Sequence, residues 1–205
     1  MDSLCGKFIV FDGPEGCGKS TQVRMLVERL QGQGQAVLSV RDPGSTRIGE
    51  KIRQILLDPV HDEMGMRCEM LLYMAARAQM MTQFIFPALA RGDTVICDRF
   101  VSSTLAYQLD GDGLSAADIR AVADIAIRGR WPDLTIILDM PPEESFQRVQ
   151  RQRDRIESRP MEYHRRVREN FLDQAKGYPA YKVIDAARDR QVVHGDILNI
   201  MAALA

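Results

Sequence analysis

The clearest chemistry in the chain stands at residues 13–20, GPEGCGKS. The spacing satisfies GxxxxGK[ST] in full, between an apolar run at 7–11 and a helix-like run opening at Ser20, which is the setting this motif requires. Gly13, Gly16 and Gly18 allow unusual dihedrals and close backbone approach, so that successive N–H groups face phosphate oxygens while Lys19 neutralises their charge. Ser20 suits a magnesium ion, and Thr21 adds a contact in the first helical turn. Pro14, Glu15 and Cys17 complete the loop; Cys17 reads as a small filler whose backbone N–H matters more than its thiol. Phosphate binding alone leaves a transferase, a motor or a nucleotide switch open. The chain has no NKxD guanine-reading element, and its length leaves little room for a motor apparatus.

A second set of residues suits a second anionic ligand. In EMLLYMAARAQ, Tyr73 and Arg77 lie four apart, so one helix face would present an aromatic platform and a guanidinium fork. A core aromatic beside a surface arginine fits that spacing equally well. In DRFVSSTLAYQ, Asp98 and Arg99 end an apolar strand, with Tyr107 and Gln108 two helical turns later.

The elements that must position these groups alternate. Strands are predicted at 7–11, 36–40, 94–98, 134–139 and 180–184, and helices at 20–34, 47–57, 67–89, 100–108, 115–127, 143–153, 161–176 and 189–204, with Pro87 bending or ending the third helix. Apolar strands without inside/outside alternation point to a parallel sheet covered on both faces. Ligands of such sheets gather beyond the carboxyl ends of the strands, where Asp12, Arg41, Asp98 and Asp139 fall.

Composition bounds the partners. With 205 residues, 45% hydrophobic and 27% charged, the chain supports one domain with a sizeable core. The net charge of -1 offers no overall field for nucleic acid or anionic lipid. Arginine nevertheless outnumbers lysine 22 to 5, and 148–168 holds eight arginines against Asp154, Glu157 and Glu162. Cys5, Cys17, Cys68 and Cys97 form no metal or disulfide pattern, which fits a reducing compartment. The N-terminus lacks the makings of a signal peptide and no run of about 18 apolar residues occurs, so a cytoplasmic location without membrane partners is expected.

Together FDGPEGCGKST, RDPGST followed by GE, LLYMAARAQ, DRFVSSTLAYQ, PDLTIILD, DRIE and EYHRRVRENF resemble the thymidylate kinases of bacterial type, over residues 8 to about 185. The resemblance implies an α/β P-loop nucleoside monophosphate kinase fold with a five-stranded parallel sheet flanked by helices, ATP with Mg2+ as donor, dTMP as acceptor and a homodimer. It implies that Tyr73 stacks on thymine, that Arg77 lies near the base and that Arg99 holds the acceptor phosphate. Asp98 would order magnesium, water or that arginine, and Asp12 would position the acceptor phosphate or sugar. Arg41 and Pro43 would edge the acceptor pocket, with Tyr107 and Gln108 near the deoxyribose and base.

The segment 148–160 matches the family's lid, where arginines closing over ATP would stabilise the transferring phosphoryl group. Arg153 ranks first for that role, followed by Arg151 and Arg155. Some positions depart from the family pattern: Asp42 and Ser45 stand for Glu and Gly, Phe100 for Tyr or His, Leu109 and Asp110 for small residues, Asp112 for a basic one, and Tyr73 for Phe. They reshape a loop or widen selectivity toward dUMP or another pyrimidine monophosphate. A nucleotide-dependent binding module is the alternative of a different class.

Overall fold

A computed structural model describes residues 4–149 and 152–204. Five parallel strands, β1 (Phe8–Asp12), β2 (Val37–Arg41), β3 (Thr94–Asp98), β4 (Leu134–Asp139) and β5 (Tyr181–Asp185), lie in the order β2-β3-β1-β4-β5. β1 is central, and its alternation sets the two cores. Phe8 and Val10 join Val95 and Cys97 beneath α3 (Met66–Met80) and α6 (Ala116–Ile127). Ile9 and Phe11 join Ile96, Ile136 and Leu138 beneath α1 (Lys19–Gly32) and α9 (Arg190–Leu204). Both faces of the sheet are thus covered, which is why its strands read as unbroken apolar runs. Met70, Met74, Met80 and Met81 fill the first core, the gap-filling use of an unbranched side chain.

Local chemistry explains the element boundaries. Thr46 caps α2 (Arg47–Leu57) by accepting the Gly49 N–H at 2.8 Å, and Ser115 with Asp118 forms a capping box on α6. Pro87 acts as expected, though upstream of itself. Lacking an N–H, it follows a π-helical turn at Met81–Ile85, from which the Phe86 N–H reaches back to Met81 O before α4 (Phe86–Ala90) resumes.

Among the described residues, the helix predicted over 143–153 is confined to its first turn. α7 (Pro142–Ser145) tightens into a 3-10 turn at Phe146–Arg148, and residue 149 is already extended. Two forces oppose a helix there. Arg148 and Arg151 fall three apart and would repel on one helix face, and Asp154 Oδ1 instead accepts the N–H groups of Ile156 (3.0 Å) and Glu157 (2.9 Å) in a local turn. Arg151 lies outside the described residues. α8 (Met161–Gly177) then packs against α5 (Val101–Tyr107), with Tyr163 and Phe171 edge-on to Tyr107.

Two buried histidines make the fold acid-sensitive. His164 on α8 packs against the Phe146 and Tyr163 rings, and His194 on α9 meets Gln22 Oε1 at 3.1 Å. Burial holds both imidazoles below their ordinary pKa. Unfolded, they take up protons near pH 6.5, whereas the folded protein resists; their contribution is whole above about that pH and is lost as pH falls through the depressed folded values. Thermal melts should give a lower Tm at about pH 5.5 than at about 7.5, with a shallower slope for His164→Gln. An unchanged slope would remove His164 from this account.

Candidate active site

The phosphate loop follows β1 and ends on α1. Gly13, Gly16 and Gly18 have φ of 134°, 72° and 97°. At Gly13 a Cβ would strike the Leu138 carbonyl, and at Gly16 the Ser145 carbonyl, so both positions require glycine for space as well as dihedral. Lys19 Nζ curls back to donate to Gly13 O (3.1 Å) and Pro14 O (2.6 Å). Ser20 Oγ donates to Asp98 Oδ2 at 2.7 Å, which brings a hydroxyl and a carboxylate together at the end of β3. Cys17 is buried, and burial pushes its thiol pKa up, so it fills space as expected.

Arg99 joins this loop to a second compartment. Its φ of 70° is rare for a residue with a Cβ, and the conformation is held by its N–H donating to Phe11 O at 2.8 Å. Nη1 donates to Gly13 O (3.0 Å) and Ser103 Oγ (2.9 Å), Nη2 to Glu15 (2.5 Å), and the guanidinium lies 5.3 Å from the Tyr107 ring centre. Burial alone would lower its pKa, but Glu15, Tyr107 and Asp12 outweigh that and raise it well above the ordinary value.

Asp12 is wholly buried and is not among the residues that line the cavity described below. Its carboxylate accepts from Ser102 Oγ and Ser103 Oγ, both at 2.6 Å, and from the Gly13 N–H at 3.0 Å, and it lies 3.4 Å from Arg99 Nη1. These bonds tie it to Arg99 and to the start of α5.

A single cavity of about 350 Å³ runs from Gly16, Gly18, Lys19, Ser20, Thr21 and Asp98 past Glu15 and Arg99 to Arg41, Pro43, Tyr73, Arg77, Tyr107 and Gln108. The two residue sets of the sequence therefore meet in one space. Tyr73 and Arg77 do share a face of α3, and burial raises the Tyr73 hydroxyl pKa, so the ring presents a neutral platform. Arg77 is almost fully buried; Nε meets Asp42 at 2.5 Å, Nη2 donates to Thr104 Oγ1 at 3.2 Å, and Phe100 lies beneath at 5.1 Å. Sequence reasoning missed Asp42, Arg53, Thr104 and Ile156 on the cavity wall. The Arg77 partner was the most accessible of these, because an arginine buried in a helix demands a carboxylate.

The arginine-rich segment divides. Arg153 is exposed and stacks 4.7 Å over Phe146. Arg155 is buried and already committed: Nε donates to Leu56 O (2.9 Å) and Nη1 to Glu69 (2.8 Å). In this arrangement Arg155 bonds only to groups of the protein and is not among the residues that line the cavity. Within the expected lid at 148–160, Arg155 and Arg159 are tied to α2, α3 and α8.

A P-loop whose cavity continues into an aromatic and arginine-lined compartment, on a five-stranded parallel sheet, defines a nucleoside monophosphate kinase, an ATP-using phosphotransferase. The family described as Thymidylate kinase matches residues 11–197. Proteins named thymidylate kinase are similar almost end to end. That of Pelotomaculum thermopropionicum is 47% identical over 95% of this chain and 92% of its own length. Those of Caldanaerobacter subterraneus (92% and 91% covered) and Deinococcus radiodurans (94% and 94%) are each 43% identical. The chain belongs to the thymidylate kinase family.

Proposed function

We propose that this protein transfers the γ-phosphoryl group of ATP to dTMP, giving dTDP and ADP, by direct in-line attack of an acceptor phosphate oxygen with no covalent enzyme intermediate. The observation that carries this reading is the continuity of the cavity across Arg99. Phosphate-binding groups lie on one side of it, and Tyr73, Arg77 and Gln108 on the other. Two phosphorylated ligands seated there would face each other across one guanidinium, which is the positioning that phosphoryl transfer demands.

The loop N–H groups and Lys19 would hold the donor phosphates. Ser20 and Asp98 supply hard oxygen donors at the right place for Mg2+, a metal that keeps waters and substrate phosphates as its remaining ligands. The fit needs no larger cluster, and no group of three or more His, Cys, Asp or Glu able to hold a metal occurs among the described residues. When bound, the ion would draw charge from the transferring phosphate. Tyr73 would stack on the base, Arg77 would lie at its edge, Arg41 and Pro43 would border the pocket, and Tyr107 would flank the sugar. Arg153 is assigned to the transferring phosphoryl group; Arg153→Ala should lower kcat by about 10²-fold or more. A parental kcat would end that assignment.

The test is a panel of dTMP, dUMP, dCMP, dGMP, AMP and water, each with ATP and magnesium, with ADP and diphosphate product measured separately. Stoichiometric, dTMP-dependent dTDP is expected. Equal turnover of dUMP would favour the broader pyrimidine reading, and ATP binding without transfer would favour a binding module.

A homodimer and a cytoplasmic location without nucleic-acid or membrane partners belong to the same proposal. Ile48 and Ile55 on α2, Leu71 on α3 and Ile125 on α6 leave apolar side chains exposed on helices that pack side by side. Light scattering should return twice the 23.1 kDa chain mass; a monomer would refute the pairing. No helix of the described residues is long and apolar enough to cross a membrane.

A further inference from the structure

We infer that Glu69 is a positioning residue for the acceptor nucleotide, a buried carboxylate that assembles the cavity wall opposite the phosphate loop out of three separate elements. Glu69 is wholly buried on α3, one turn before Tyr73. Oε2 accepts from Gln108 Nε2 at 3.1 Å, just beyond the C-terminus of α5. Oε1 accepts from Arg155 Nη1 at 2.8 Å and from Arg159 Nη2. Both arginines are anchored a second time. The Arg155 N–H and Nε donate to Leu57 O (3.1 Å) and Leu56 O (2.9 Å), while Arg159 Nη1 donates to Tyr163 Oη at 2.7 Å. Tyr163 in turn donates to Tyr107 O at 2.9 Å.

Five residues brought into register by these bonds, Leu57, Tyr107, Gln108, Asp154 and Ile156, line the cavity from three stretches far apart in sequence. Glu69 is the charged centre on which these bonds converge. Two guanidiniums, one buried and one half-buried, converge on one buried carboxylate, so losing the negative charge leaves two cations facing each other. The wall would then shift where the acceptor sits. The donor loop is built from β1, α1 and β3 and holds Lys19 and Ser20 by bonds of its own, so the effect should be one-sided.

This inference rests on the acceptor compartment proposed above, and the same assay separates the two. Steady-state kinetics would vary dTMP and ATP independently in the parent, Glu69→Gln, Arg155→Met and Arg155→Lys, each normalised to its ATP-binding stoichiometry. Glu69→Gln and Arg155→Met should raise KM for dTMP about tenfold while KM for ATP stays within about twofold, and Arg155→Lys should recover part of the loss. A purely structural role would lower Tm or kcat and leave both KM values alone; that result, or a parallel rise in both, overturns the inference. Should Glu69→Gln not fold, the Arg155 pair decides by the same criterion. A parent protein that leaves dTMP unphosphorylated would instead remove the acceptor assignment itself.

Discussion

Lys19→Met should lower kcat by about 10²–10³-fold, with only a small change in Tm. Nζ is the one cation planted within the phosphate loop, and it is nearly buried, so its charge acts in a poorly screened setting. Its present partners are the Gly13 and Pro14 carbonyls, to which it donates at 3.1 and 2.6 Å. Methionine keeps the aliphatic stem and removes the cation. Arriving β- and γ-phosphates would then meet loop N–H groups alone, and the charge that builds during transfer would lose its closest counterion. Binding would weaken less than turnover, because the N–H cradle is unaltered. A kcat within about threefold of the parent, with ATP saturating, would show that Lys19 holds the loop closed and does nothing further.

The legible parts of this molecule were those set by short-range geometry. GPEGCGKS fixes its own conformation through three glycines, and Tyr73 and Arg77 reach the same cavity because four residues make one helical turn. The sheet was legible because buried parallel strands show as apolar runs ending in Asp12, Arg41, Asp98 and Asp139. What stayed hidden depends on partners far away in the chain. The bonds of Asp12 were not legible at its strand end, because Ser102 and Ser103 arrive from 90 and 91 residues away to make them. Arg155 looked like its neighbour Arg153 until Glu69, 86 positions earlier, claimed it. The helix expected over 143–153 stops after its first turn for a similar reason: propensity favoured it, while Phe146 is drawn against His164 and Asp154 offers the chain a competing turn. In a charged run, composition cannot say which arginine is structural. The location of its carboxylate does.

The second large effect belongs to Arg99. Arg99→Ala should lower kcat/KM for dTMP by about 10³-fold, and Arg99→Lys should recover stability far better than activity. The alanine variant removes a cation lying between Asp12 and Glu15 and leaves a wholly buried carboxylate without its charge partner, at a cost of about 3–5 kcal/mol. Lysine restores that charge. It cannot restore the fork, in which Nη1 is occupied by Gly13 O and Ser103 Oγ while Nη2 is held by Glu15, on a residue that lines the cavity. An acceptor phosphate would take over the Nη2 edge and leave Nη1 as a fixed anchor, so the guanidinium is placed before the ligand arrives. A single ammonium must choose between anchoring and binding. The left-handed backbone at φ 70° strengthens the argument, because strain of about 1–3 kcal/mol persists only where surrounding bonds hold it. The measurement is kcat/KM for dTMP and Tm for both variants. An Arg99→Lys protein with parental kinetics would show that charge alone suffices, and that the fork geometry contributes nothing to catalysis.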